Sequence, residues 1–513
     1  MRRPLTPDDY PRVIAAQLQS RDAGFLRMLD EAVFANARSP YRWLLEQAGI
    51  GRDDVAASVR ARGVEGTLER LYDDGVRLTL DQFKGRVAIE RGGRRLLAAA
   101  ADFDNPMLTT HFEAASGGSG GPRRRINLDF DLLTHEAAYY GLFLETFGIG
   151  ERPEALWYPV PPGVAGIKQV FRRVKIGRPP ARWFTPTALA PGRGALKHYL
   201  FTHYTVRASR VMGTSMPRPE YVPPDRAVVV AEWAAEQRRR GRPGILACPP
   251  GASVRICLAA RDRGLDIRDT FFRCSGEPYT PGRAGVIAAT GGRGASIYSM
   301  AEVGIVGMPC VAPSAVDEVH LVTDKLAIIQ RPKLVPAAGL EVGALFYTTL
   351  LASCPKVMLN VEIDDHGTLT TRDCGCPWDA LGLRLHLHDI RSYDKLTTEG
   401  MTFSGSELWA LVEDVLPARF GGHATDYQLV EGEEDGVIRV DLVVSPRVGP
   451  VDEKLMIRTV LETLAAPHAG QRMMTELWRA ANTLRVIRRE PHRTAAAKIL
   501  PLHILGTGTP KRA

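Results

Sequence analysis

The chain reads as α/β: a large multi-layer α/β N-terminal domain with a helical opening region, followed by a small, mobile α+β C-terminal domain. Three observations predict this. Residues 1–100 carry apolar residues at three-to-four spacing, as helices with one buried face do. From about Ala99 to Gln330, short apolar runs end in glycine-rich turns and alternate with longer segments, the pattern of buried strands between covering helices. After Arg391, helices and strands follow one another in an order that suits a separate small domain.

Taken in order, Pro11–Leu18, Phe25–Ala37, Tyr41–Gly49 and Thr67–Tyr72 are the helical segments of the opening region. Ala227–Trp233, Gly244–Ala247, Val286–Ala289 and Ile297–Ser299 are predicted as buried strands, and Val357–Ile363 and Leu383–His388 alternate as strands do. The last part is predicted as a helix (Ser406–Val415), a strand (Asp426–Val430), an acidic turn (Glu431–Asp435), a strand (Val437–Ser445), a helix (Glu453–Ala465) and a basic segment. The limits expected are 1–100 for the helical region, 101–390 for the rest of the large domain and 391–513 for the small one.

With 66 Lys+Arg against 58 Asp+Glu, the 513 residues carry a net charge of +8, and 45% hydrophobic residues suffice for a sizeable core. The basic clusters (Arg123–Arg125; Arg172, Arg173, Lys175, Arg178 and Arg182; Arg238–Arg242; Arg485–Arg493) are scattered and not interleaved with aromatics. They argue for no nucleic-acid partner, and for solvated faces or a path for a small polyanion. Seven cysteines do not make a disulfide framework. With no apolar signal-like run at the start and no stretch long enough for a membrane span, a cytoplasmic location is expected. Oligomeric state is left open, a homodimer being compatible.

The strongest local feature is Ser116, Gly117, Gly118, Ser119, Gly120, Gly121, followed by Pro122 and Arg123. Bare glycine backbone can wrap an anion with its N–H groups, while the two hydroxyls donate and Arg123 offsets charge. No Gly-Lys-Ser/Thr follows, so it is not a Walker loop. Gly117, Ser119 and Gly121 also match Gly-x-Ser-x-Gly, which keeps a serine hydrolase built on Ser119 as a competing reading, beside a plain linker. A second constellation is Cys310, nine residues, His320, then Cys374-Gly375-Cys376: three thiols and an imidazole, the donor set of a closed tetrahedral zinc site. Cys248, Cys257, Cys274 and Cys354 lie in apolar stretches and read as core. Trp157, Tyr158, Trp183, Phe184, Tyr199 and Phe201 read as core before acid pocket.

Several segments, in order, resemble the adenylate-forming superfamily of acyl- and aryl-CoA ligases, and most closely its phenylacetate-CoA ligase-like and acyl-protein synthetase-like members. The Ser116–Arg123 loop resembles their nucleotide phosphate loop. Ser275-Gly276-Glu277-Pro278 resembles Gly-Gly-Glu-Pro, and Tyr298-Ser299-Met300-Ala301-Glu302-Val303-Gly304 resembles Tyr-Gly-Met-Ser-Glu-x-Gly. Asp364-Asp365-His366-Gly367 sits where a ribose-binding aspartate falls; Arg391–Lys395 resembles the hinge, Gly400–Phe403 the turn after it, and Arg493–Ile499 the terminal lysine motif.

The resemblance implies an acid–thiol ligase that uses ATP and Mg²⁺, activates a small carboxylic acid as its adenylate, releases pyrophosphate and passes the acyl group to CoA. It also implies roles: Ser116–Arg123 for the leaving phosphates, Gly276, Glu277 and Pro278 for the adenine turn, Tyr298 for stacking on adenine, and Glu302 for Mg²⁺. Asp365 would take the ribose hydroxyls, Arg391 would reach phosphate or ribose, and Lys498 would neutralise the transition state. Some phenylacetate-CoA ligase-like proteins carry a comparable Cys and His set, which implies a structural zinc on Cys310, His320, Cys374 and Cys376. The Arg172–Arg182 and Arg485–Arg493 clusters are candidate contacts for CoA phosphates. Three positions depart from the pattern: Arg123 for a lysine, Tyr393 for the hinge aspartate with Asp394 beside it, and Ala497 for the glycine before the lysine. An amine or a protein or carrier thiol as acceptor, and a non-catalytic nucleotide-binding scaffold, stay open.

Overall fold

Twelve strands of the large domain join in one sheet whose character changes at a single strand. The computed structural model describes residues 3–108, 113–115, 125–127, 129–161, 165–187, 206, 216–335, 340–392, 395–398, 401–404, 408, 410–434, 436–465, 469–492, 499 and 502–504. In chain order the strands are β1 (Glu154–Trp157), β2 (Arg182–Thr185), β3 (Pro219–Tyr221), β4 (Ile245–Cys248), β5 (Phe271–Ser275) and β6 (Arg293–Met300). There follow β7 (Gly304–Pro309), β8 (Val319–Leu321), β9 (Leu326–Val335), β10 (Leu340–Thr349), β11 (Val361–Thr371) and β12 (Leu385–Ser392). The half β3–β2–β1–β4–β5–β6 is parallel throughout. The other half continues β6–β7–β8–β12–β11–β10–β9 with every pair antiparallel. β6 is therefore the seam.

Sequence accounts for the difference between the halves. β1, β4 and β5 are short and buried along their whole length, as strands covered on both faces must be. On one face lie α1 (Phe130–Thr146), whose Asp129 carboxylate caps the N–H groups of Asp131 and Leu132, and α2 (Ala165–Lys175). On the other lie α3 (Val228–Arg239), α4 (Pro250–Asp262) and α5 (Pro281–Ala289), packed on Leu246, Cys248, Phe272 and Cys274. Two expected strands are thus helical: Ala227–Trp233 falls in α3 and Val286–Ala289 ends α5. A short apolar run has no readable period, and Val228-Val229-Val230 suggested extended chain; burial of the alanine face of α3 on the sheet overrides that propensity. The strands expected around Gly244–Ala247 and Ile297–Ser299 are β4 and part of β6.

The helices of residues 21–73 cover the antiparallel half, sharing a core in which Phe25, Leu45 and Leu68 meet Leu345, Tyr347 and Val361. Asn360 joins the two layers. Its Nδ2 donates to the carbonyls of Leu68 (2.8 Å) and Val76 (3.1 Å), and its backbone, at φ +49°, lies in the left-handed region that asparagine tolerates. Either side of it, Leu78 N donates to Asn360 O and Glu362 N donates to Leu78 O.

The small domain is a four-stranded sheet of β13 (Tyr427–Glu434), β14 (Val437–Val444), β15 (Leu484–Arg488) and β16 (Leu502–Ile504) in the order β15–β14–β13–β16. Helices α6 (Glu453–Ala465) and α7 (Ala469–Ala481) accompany it, and Leu429, Leu442, Met456 and Trp478 share its core. The β13–β14 hairpin reaches the large domain, where Thr280, the N-cap of α5, donates from Oγ1 to Glu433 at 2.7 and 2.8 Å.

Replacing Asn360 by alanine removes two buried hydrogen bonds between the layers and leaves a left-handed backbone without its favoured residue. The expected loss is about 2–3 kcal/mol, read as a lower urea midpoint with unchanged slope.

Candidate functional site

The candidate nucleotide residues gather at the seam. β5 ends at Ser275 and passes into Gly276, whose φ of +90° permits the reversal that sends the chain outward as Glu277-Pro278. Glu277 turns inward: its carboxylate accepts from Gly251 N at the start of α4 (2.9 Å) and pairs with Arg283 of α5 (2.8 Å), and Arg283 also donates to Pro278 O (2.7 Å). Buried Glu277 and Arg283 thus brace the turn from behind.

Tyr298 stands near the end of β6 and Asp365 on β11, four places apart in sheet order, yet the sheet curls enough to bring them into contact. The Tyr298 phenol donates to Asp365 Oδ2 (2.7 Å) and lies 2.7 Å from the Tyr347 hydroxyl, while Ser392 Oγ donates to Asp365 Oδ1 (2.7 Å). Burial, then the neighbouring Asp365 carboxylate, pushes the Tyr298 phenol well above its ordinary range, so it stays a donor. The aim of Asp365 has a local cause: Asp364 has φ +59°, and the register of β11 shifts against both of its neighbours here. Arg391 pairs in register with His366, but its Nη1 donates to Asp317 Oδ2 (2.8 Å), and Asp317 also accepts from Asp389 N and Ile390 N. The structure therefore brings Tyr298 and Asp365 together directly and sets Arg391 at the neighbouring register position, tied to Asp317.

Glu302 lies in the turn between β6 and β7, and the residues that hold this turn went unrecognised in the sequence. Gly304 has φ +80°, and a Cβ there would sit 1.7 Å from Glu136 Oε1. The last glycine of Tyr-x-Met-x-Glu-x-Gly is thus the space through which a buried carboxylate reaches the backbone. Glu136, on α1, accepts from Ile305 N (2.8 Å) and from Arg172 Nε (2.9 Å), with Lys325 Nζ at 3.7 Å. Lys325 in turn donates to Val303 O (2.8 Å). Burial alone would raise the Glu136 pKa, but the cations of Arg172, Lys325 and Lys168 outweigh it and hold it at about 2. Desolvation lowers the pKa of Lys168, whose charge also acts on Glu302. Arg172 was visible as part of a basic cluster; that it faces inward was not.

The basic clusters are largely neutralised. Arg172 pairs with Glu136 and Arg173 with Glu154, both in the core, and Arg485 pairs with Glu434 and Asp441. Ser116, Gly117, Gly118, Ser119, Gly120, Gly121, Arg123 and Lys498 lie outside the described residues.

Cys310, His320, Cys374 and Cys376 converge, with donor atoms within 4.8 Å of one another. Cys310 follows β7 and His320 is on the adjacent β8, so antiparallel pairing closes their gap. β12 pairs with both β8 and β11 and returns the loop after β11 to them. Gly375, at φ +69°, separates the two sulfurs of Cys374 and Cys376, which both come within reach of His320 Nε2, at 3.5 and 3.2 Å. Tetrahedral zinc with ordinary Zn–S and Zn–N bonds places sulfur and nitrogen ligands about 3.5 Å apart, so the set fits that ion. His320 Nδ1 lies 2.6 Å from Leu383 O, a contact that fixes Nε2 as the free donor atom. A second cluster, Cys310, Glu318 and His386, is already served by a cation. Arg372 donates to Glu318 Oε1 (2.7 and 2.9 Å) and lies 3.5 Å from Cys310 Sγ. None of the helices among the described residues is long and apolar enough to cross a membrane.

No protein-family model and no curated protein matches the chain. Solved structures do. A 2-hydroxyisobutyryl-CoA ligase in complex with 2-HIB-AMP and CoA, in its thioesterification state, is similar with a TM-score of 0.53 and 15% identity, covering 97% of this chain and 90% of that one. The same ligase in a postadenylation state with 2-HIB-AMP gives 0.45 and 14%, over 98% and 91%. The first likeness establishes the fold: a large α/β domain and a small α+β domain of the adenylate-forming ligase type.

Gly304→Ala is expected to displace Glu136 from its cations and to strain the turn. A loss of about 3–5 kcal/mol in denaturant unfolding should result, against under about 1 kcal/mol for Gly285→Ala, which meets open space in α5.

Proposed function

We propose that the chain is an ATP- and Mg²⁺-dependent acid–thiol ligase of the AMP-forming kind. The observation that carries this is the Tyr298–Asp365–Ser392 contact at the seam, beside the Gly276 turn, on a fold shared with a CoA ligase. In the first step a carboxylate oxygen of a small acid attacks the α-phosphorus of ATP, and pyrophosphate leaves with its bonding electron pair. In the second a thiol, most simply that of CoA, loses its proton and attacks the acyl carbon, and AMP leaves. The solved neighbour holds both 2-HIB-AMP and CoA, which supports this pair of steps.

The residues divide the work. Asp365 offers carboxylate oxygens to the ribose hydroxyls, exchanging its bonds with Tyr298 and Ser392 for bonds to the nucleotide. The Tyr298 ring, half-buried and fixed by its phenol, lies against the base. Glu302, on the turn clamped by Glu136 and Lys325, holds Mg²⁺, which supplies charge neutralisation at the phosphates. The Ser116–Gly121 backbone and Arg123 receive the leaving phosphates, and Lys498 faces the developing negative charge. Arg391 is kept by Asp317 within reach of the nucleotide. Likeness to phenylacetate-CoA ligases rests on the Gly276–Pro278, Tyr298–Gly304 and terminal lysine motifs together. Cys310, His320, Cys374 and Cys376 would hold a structural zinc, which would tie the segment after Glu302 to the loop after Asp365. Unpaired thiols at all seven cysteines suit a reducing, cytoplasmic setting.

Two measurements test this. Metal analysis of pure protein should give about one zinc per chain, falling to a small fraction in Cys376→Ser; a metal-free, fully stable wild type overturns the zinc assignment. Acid-dependent pyrophosphate release from ATP should appear with at least one member of an acid panel and fall by about 100-fold or more in Lys498→Ala. Binding of ATP without release, over the whole panel, identifies a scaffold instead.

A further inference from the structure

One buried cation takes no part in the steps above. Arg273, in the middle of β5, is fully buried, and Nε, Nη1 and Nη2 all lack a hydrogen-bond partner among the described residues. Its neighbouring carboxylate is Glu154 of β1, with Oε1 3.5 Å from Arg273 Nε. That carboxylate is already engaged: the Tyr140 hydroxyl donates to it at 2.7 and 2.8 Å, and Arg173 pairs with it at 3.1 Å. Two guanidinium charges thus share one carboxylate in the layer between the sheet and helices α1 and α2. Burial keeps the Tyr158 phenol and the Cys248 thiol protonated, so neither supplies the missing anion. The remaining neighbour is the Tyr140 ring, 5.3 Å from the guanidinium carbon. A buried cation left with unmade hydrogen bonds costs several kcal/mol.

Its place in the sheet points the same way. In parallel register, the residues flanking Arg273 on the same face are Ala247 of β4 and Ala295 of β6, neither of which reaches beyond its Cβ toward the guanidinium. One step toward the carboxyl end on that face is Ser275, whose hydroxyl lies 2.7 Å from the Tyr158 hydroxyl. Immediately beyond is the Gly276 turn. Arg273 therefore lies below the carboxyl ends of β1, β4 and β5, where open α/β sheets take their ligands, and one layer beneath the candidate nucleotide turn.

We propose that Arg273, with the Tyr158 and Ser275 hydroxyls above it, binds a second carboxylate on the acid, so that the substrate class is a short dicarboxylic acid held by one carboxylate while the other is activated. This rests on the ligase reading for the second half of the statement; the anion site stands on its own geometry. The planar fork of arginine matches a carboxylate with two parallel hydrogen bonds, which a lysine cannot reproduce.

The test uses the full chain with succinate, glutarate and adipate against butanoate, pentanoate and hexanoate. Pyrophosphate release should favour a dicarboxylate by about 100-fold in kcat/KM in the wild type, and Arg273→Met should erase that preference through KM. In parallel, glutarate alone, without nucleotide, should raise the Tm of the wild type and not of Arg273→Met; Arg273→Lys, which keeps the charge, serves if the methionine variant does not fold. Release with monocarboxylates at equal or greater efficiency, or unchanged selectivity in both variants, overturns the proposal and leaves the ligase reading intact. An Arg273-dependent glutarate shift without release from any acid keeps the anion site and overturns the ligase reading. Absence of both overturns both.

Discussion

Glu136 is ionised in the middle of the large domain, and much of the site's geometry follows from what that requires. A carboxylate in the core is tolerable only if cations and N–H donors surround it, since removing it from water costs several kcal/mol before any pairing. Arg172 from α2, Lys325 from the turn before β9 and the amide of Ile305 supply that surrounding. Each partner comes from a different element. The cluster therefore fixes where α1 and α2 lie over the sheet and where β6 turns into β7. It also dictates sequence, because only a residue without a side chain can stand at Gly304 while the carboxylate reaches past it. Glu302 is carried on that same turn, so its position is set from beneath by buried charges.

The second organising feature is the change from parallel to antiparallel pairing at β6. Parallel strands need helical crossovers, which bring α2 to α5 onto the faces of the sheet; antiparallel strands need only turns, and leave one face for the helices of residues 21–73. A twisted sheet this long curls, and the curl carries β11 back toward β6. Tyr298 and Asp365 meet for that reason, not through sheet adjacency. The left-handed residues Asn360 and Asp364 fall at either end of the first stretch of β11, one anchoring it to the helical layer and the other aiming Asp365.

How much of this was legible depends on how far each signal is local. The α/β class, β4, β6 and α6 were readable because burial and period repeat over a few neighbouring residues. Motif order marked Tyr298 and Asp365 before any geometry was known, and cysteine spacing marked Cys310, His320, Cys374 and Cys376, which the structure brings within reach of one ion. What could not be read is the sidedness of long-range charge. Arg172 and Arg173 look in sequence like a solvated basic run, and only the packing of α2 on α1 and β1 shows that they point inward to Glu136 and Glu154. For the same reason α3 and the end of α5 passed for strands: whether a short apolar run is wrapped or extended is decided by the surface it lands on.

The net positive charge is then not a surface property alone. Part of it is internal: Arg172 and Lys325 face Glu136, Arg283 pairs with Glu277, and Arg173 and Arg273 share Glu154. The first two groups hold backbone, namely the β6–β7 turn and the Gly276 turn. The third holds no turn and leaves donors over. Thr280 continues the logic outward, since the α5 residue that caps the helix bearing Arg283 also donates to Glu433 of the small domain. Any displacement of the β13–β14 hairpin away from α5 must break those bonds at the N-terminus of the helix that braces the Gly276 turn. Position of the small domain and state of that turn are therefore coupled through Thr280 and Arg283, three residues apart on one helical turn.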